Sequence, residues 1–134
     1  MIPHAILALL TDEAGRTLLV RRKDSALWAL PGGTLRPSAD PVALLISCCR
    51  RQVGVGPDFV APPIEMSVAG RTFLVARDEI PHERARACGR VEESRWFAGT
   101  ELPLNVTPVA RMIIINSRLI IAPVLGRLPF AFAS

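Results

Sequence analysis

The chain has 134 residues, of which 50% are hydrophobic and 21% charged, with a net charge of +4. That length supports one domain with a core of its own, so residues 1–134 read as a single domain, and the apolar content excludes a disordered chain. A mean hydropathy of +0.34 is high for a free-standing domain and implies apolar surface that meets a partner.

The cations are nearly all arginine, Lys23 being the only lysine. A basic balance favours anionic ligands such as a nucleotide or another phosphorylated small molecule, although a general bias in residue usage would leave the same mark. No long cationic run interleaved with aromatics is present, so a nucleic-acid surface is not expected. Cys48, Cys49 and Cys88 lack the spacing of a disulfide framework, which fits a reducing compartment. The early apolar run "AILALL" is too short for an export signal, and Met112 to Leu125 is interrupted by Asn116, Ser117, Arg118 and Pro123. No membrane span and a cytoplasmic location are therefore expected.

In chain order, "HAILALLTDEAGRTLLVRRK" reads as a hairpin turning at "DEAG". "LWALPGG" is a short apolar piece stopped by Pro31, Gly32 and Gly33. Asp40-Pro41 signals a helix start, a capping carboxylate followed by proline at the first helical position. Val42, Leu45, Ile46, Cys49 and Val53 then recur at helical spacing, and Gly54 ends the run. "FVAPPIEMSVAG" and "RTFLVARDEI" read as strands joined near Ala69-Gly70, "PHERARACGRVEE" as a polar loop, and "SRWFAG" as a short strand. The last helix is expected from about Pro108 to Ile121, ending before Pro123 and presenting Val109, Met112, Ile113, Asn116, Leu119 and Ile120 on one face. Helices alternating with a mixed sheet give an α/β or α+β layered sandwich.

At this point the chain resembles the Nudix hydrolase family. The family's signature is Gly, five residues, Glu, seven residues, Arg-Glu, an apolar residue, one residue, Glu-Glu, one residue, Gly and an apolar residue. With Gly33 at its first position, Gly54 and Val55 fall on the last two without a gap, and the intervening positions fall on Ala39, Ser47, Cys48, Cys49, Arg51 and Gln52. "TLLVRRKDSALWALPGG" is similar to the strand, arginine and Trp-x-x-Pro-Gly-Gly lead-in of the family, and "VEESRWFAGTELP" to the segment before its final helix. The resemblance implies an α/β fold, a Nudix-like α/β/α sandwich with a mixed sheet. It also implies hydrolysis of nucleoside diphosphate derivatives with Mg²⁺ or Mn²⁺ held by glutamates at the positions of Cys48, Arg51 and Gln52.

None of those positions carries an acid here; the box is degenerate. Residues three and four apart share a helix face, and magnesium needs oxygen ligands. A guanidinium about 5 Å from a divalent ion, at an effective dielectric near 20, repels it by roughly several kcal/mol. No metal is expected at this helix, and a non-catalytic protein that binds a nucleotide or phosphorylated metabolite follows. Two alternatives stand beside it: a hydrolase with atypical metal ligands, and a regulatory paralogue of an active relative.

The candidate ligand pocket comprises Arg22, Gly32, Gly33, Arg36 and Arg51, with Arg50 as a further cation. Guanidinium groups there would take the place of metal, whereas solvated surface charge is their plain structural role. Glu92 and Glu93, with Glu83 in the preceding loop, are the candidates for a surviving catalytic carboxylate, since the resemblance implies a late glutamate that in some family members acts as base or metal ligand. Cys48 reads as a small helix residue, Cys49 as core, and Trp28 and Trp96 as core aromatics. The apolar C-terminal third and the tail "LGRLPFAFAS", with Phe130 and Phe132, point to a homodimer.

Overall fold

The computed structural model describes residues 3–125, the last part of the final helix by its backbone alone. The C-terminal tail proposed as an interface lies outside the described residues. A hairpin of β1 (Ala5–Thr11) and β2 (Thr17–Arg22) opens the chain, followed by β3 (Trp28–Ala29) and β4 (Gly32–Thr34). Helix α1 (Pro41–Val53), a second hairpin of β5 (Ile64–Val68) and β6 (Arg71–Glu79), strand β7 (Val91–Phe97) and helix α2 (Pro108–Leu125) complete it.

The hairpin turn is built on Asp12, whose buried carboxylate accepts from Ala14 N (3.0 Å), Arg16 N (2.8 Å) and Arg16 Nε (2.8 Å). These bonds and the Arg16 charge satisfy an acid that burial would otherwise penalise. β1 pairs with β2 in register only at Thr11 and Thr17, because the strands then diverge. The gap is filled by β3 on β2 and by β4 on β1, while β6 runs parallel along the full length of β1 and β7 antiparallel along β2. The seven-stranded sheet is therefore mixed.

Alternation along β1 divides the core into two layers. Ala5 and Leu9 pack with Trp28, Phe73, Val75 and the α2 residues Ala110, Ile113 and Ile114. Ile6, Ala8 and Leu10 pack on the other face with Leu45, Cys49 and Val53 of α1. A helix covers each face, and the architecture is an α/β/α sandwich, as expected.

α1 follows its sequence signals. Asp40 caps Val42 N (3.0 Å) and Ala43 N (3.4 Å), and Gly54 closes the helix in the left-handed conformation. Three expectations need correction. β7 begins at Val91 rather than Ser94, so Glu92 and Glu93 lie in the strand. α2 continues through Pro123 to Leu125, since a proline forfeits one backbone donor without having to end the helix. The buried face of α2 is Ala110, Ile113, Ile114 and Ser117, with Met112 and Ile115 exposed. Isoleucines all round this helix gave the apolar pattern no single direction.

β4 fits only because Gly32 has no side chain. At φ 155° a Cβ there would lie 2.2 Å from the Ile6 carbonyl oxygen and 2.9 Å from Leu7 Cα. We predict that Gly32→Ala lowers the unfolding free energy in urea by about 3 kcal/mol or more. Gly15→Ala, at φ 77° with nothing within 4 Å, should cost only ~1–2 kcal/mol; equal losses would contradict this account of the wedge.

The loop after β6 is tied to the first hairpin by Glu13 and His82, with Oε2 2.5 Å from Nδ1. Hydrogen bonds from its own backbone and then from His82 bring the Glu13 carboxyl down to about 2. The bond to Glu13, and then its charge, raises His82 above 6.5. The stability Glu13 contributes is full above 4.5 and fades as pH falls toward 2. That of His82 is full below 6.5 and fades as pH rises through its raised value. We predict that the His82 titration followed by NMR has its midpoint above 6.5 and that Glu13→Gln lowers that midpoint. An unmoved midpoint in the variant would contradict the tie.

Candidate functional site

A cavity of about 500 Å³ opens between the C-terminal half of α1, the β4 wedge and the start of β7. Arg22, Gly32, Gly33, Cys48, Arg51, Gln52 and Arg90 line it. The structure thus brings together Arg22, Gly32, Gly33 and Arg51 of the candidate pocket. Arg36 and Arg50 are not among the lining residues. Arg50 instead lies against Gly56, where an added Cβ would be 2.6 Å from its Nε.

Each of the three box positions has a definite employment. Gln52 reaches back to the wedge and makes two hydrogen bonds to one residue: Gly32 N donates to Oε1 (3.2 Å), and Nε2 donates to the Gly32 carbonyl (2.9 Å). Cys48 is buried against Gly33, whose added Cβ would sit 2.9 Å from Sγ. Arg51 Nη2 donates to that same Sγ at 3.4 Å. Cys49 points into the core, and burial followed by the neighbouring Cys48 pushes its thiol up to about 12, so it stays protonated and inert.

Arg90 had no signal in the sequence; it arrives through the end of α1. The last carbonyls of a helix need outside donors, and Arg86 N bonds Val53 O (3.0 Å) while Cys88 N bonds Gln52 O (3.0 Å). Those two bonds fasten the loop beneath the helix end. Arg90 O then accepts from Lys23 N (2.9 Å), which fixes Arg90 beside Arg22. Three arginines line one cavity, and among its described lining residues there is no carboxylate.

The candidate acids lie elsewhere. A register shift between Arg21 and Arg22 sets Arg21 opposite Glu93 and Arg22 opposite Val91, leaving Glu92 exposed at the bulge. Glu93 is bound by Arg95 and by Arg21 (3.4 Å). Desolvation pushes its carboxyl up, but bonds to Arg95 and Arg21, with their charges, outweigh this and hold it below the ordinary range. The two arginines lie over the Trp28 ring at 5.6 and 5.9 Å, and Trp28 meets Phe97 edge-on. Trp28 is a core residue, as read, while Trp96 is half-buried and donates Nε1 to His82 O (3.0 Å).

One cluster elsewhere has metal-ligand character: Asp12, Glu13 and His82 offer ligand atoms within 4.8 Å of one another. Asp12 is occupied by Ala14 and Arg16, and Glu13 and His82 bind each other, so hydrogen bonds within the protein account for the group. No helix among the described residues is long and apolar enough to cross a membrane.

No family model and no curated protein matches the sequence. Solved structures do match the fold. The MutT NUDIX hydrolase from Burkholderia pseudomallei is 22% identical with a TM-score of 0.64, covering 86% of this chain and 98% of its own. The MutT/nudix family protein from Enterococcus faecalis is 17% identical with a TM-score of 0.69, covering 95% of this chain and 69% of its own. The NUDIX domain of Shewanella oneidensis NrtR, solved with ADP ribose, is 15% identical with a TM-score of 0.68 and covers 90% of each chain. At such identities the likeness establishes architecture: this chain has the Nudix fold.

Proposed function

We propose that this protein binds a nucleotide or phosphorylated metabolite directly through arginine, without a divalent metal and without hydrolysing it. The single observation that supports this most is the cavity that unites Arg22, Arg51 and Arg90 with no carboxylate beside them. Guanidinium forks match phosphate oxygens in geometry and charge, and a polyanion entering here neutralises the like charges that line the cavity.

The residues do not fit Mg²⁺ or Mn²⁺. These ions require hard oxygen ligands, and the flank of α1 offers the Cys48 thiol, the Arg51 guanidinium and a Gln52 amide whose oxygen already accepts from Gly32 N. A hydrolase reading would have to draw on Glu92 or Glu93. Glu93 is bound by two arginines and neither glutamate lines the cavity. The proposal therefore includes a degenerate box in a non-catalytic protein of the cytoplasm. It also includes a homodimer, supported by Met112 and Ile115 exposed on α2.

The test is thermal denaturation with ADP ribose, ADP or pyrophosphate in the presence of chelator. A ligand at a hundred times its dissociation constant should stabilise the protein by about 2.7 kcal/mol. Arg51→Ala and Arg90→Ala should each reduce that gain, and no phosphate should be released when Mg²⁺ or Mn²⁺ is added. Turnover that depends on metal and is abolished by chelator would contradict the proposal.

A further inference from the structure

A second cavity of about 350 Å³ lies across β4 from the first and shares Arg22, Gly32, Gly33 and Thr34 with it. Leu30, Phe73 and Val109 contribute apolar wall, and Arg71 and His4 supply cationic or donor groups at its margin. The amino end of α2, capped by Thr107 Oγ1 to Ala110 N (3.2 Å), adds partial positive charge to that margin. No carboxylate is found among its described lining residues.

Two acid-free cavities joined at one arginine define the outline of what could fill both. An anion at Arg22, Arg51 and Arg90 leaves the second cavity for an uncharged body. Arg71, exposed at the β5–β6 turn, then stands ready for a second anion. A contiguous di- or triphosphate satisfies only the first group of arginines. Phosphates at both ends of the body satisfy both groups.

We propose that Arg71 and His4 form a second anion subsite, so that the ligand class is a compound with phosphate groups at two separated positions, as in a nucleoside bisphosphate. This rests on the reading of the Arg22, Arg51 and Arg90 cavity as a phosphate site. Arg71 is a binding residue here, and its exposure means that replacing it leaves the core intact.

The test is calorimetric titration in chelator with three probes: adenosine 3′,5′-bisphosphate, ADP, and ATP as a comparably charged compound whose phosphates are contiguous. Wild-type protein should bind the bisphosphate at least tenfold tighter than ADP or ATP. Arg71→Gln should remove that advantage while changing ADP affinity less than twofold, Arg71→Lys should keep most of it, and Arg51→Ala should weaken all three. If ATP equals the bisphosphate, or the preference survives in Arg71→Gln, the second subsite is wrong while the phosphate cavity stands. If none of the three binds, both the subsite and the cavity reading fall.

Discussion

The molecule turns on the peptide of Gly32. It is pressed so closely on β1 that no side chain fits, and it is held from the other side by one amide twenty residues later in the chain. An amide is suited to this because it presents a donor and an acceptor together; a carboxylate presents acceptors alone. Gln52 thereby links α1 to the wedge that separates β1 from β2, and the wedge in turn forms a wall of both cavities. Position 52 is spent on holding the backbone. The neighbouring Cys48 packs on Gly33 and takes a hydrogen bond from Arg51, so the whole flank is committed to structure and to positive charge.

Charge partition completes that picture. Several of the chain's acids are bound away from the cavity. Asp12 organises the first turn, Asp40 caps α1, Glu13 holds His82, and Glu93 sits between two arginines above Trp28. Arg22, Arg51 and Arg90 have no such acid lining their cavity. The positive character of the cavity comes from one helical residue, Arg51, and two from outside α1, Arg22 and Arg90.

Much of this was legible beforehand because local chemistry carried it. Asp40-Pro41 and Gly54 bounded α1 to the residue, and the register from Gly33 to Gly54 placed Cys48, Arg51 and Gln52 on one helix. What escaped depended on tertiary pairing. β7 extends beyond the sequence expectation because Val91 to Glu93 owe their strand conformation to β2 across a bulge, not to an alternating pattern. Arg90 was missed because its place is set by donors that complete α1's C-terminal carbonyls. Arg36 and Arg50 looked equal to Arg51 in sequence, yet only Arg51 lines the cavity. The direction of α2 could not be read from a helix that is apolar on every side, and burial settles it at Ala110, Ile113 and Ile114.

The claim at the centre is that this flank of α1 repels a divalent cation. Paramagnetic titration of the wild-type protein with Mn²⁺ tests it most directly, read from the free-ion resonance and from line broadening of amides around Gly33 and Gln52. The account predicts an undiminished free-ion signal and no selective broadening there. A stoichiometric loss of free Mn²⁺ with broadening centred on Gly33, Cys48 and Gln52 would contradict it.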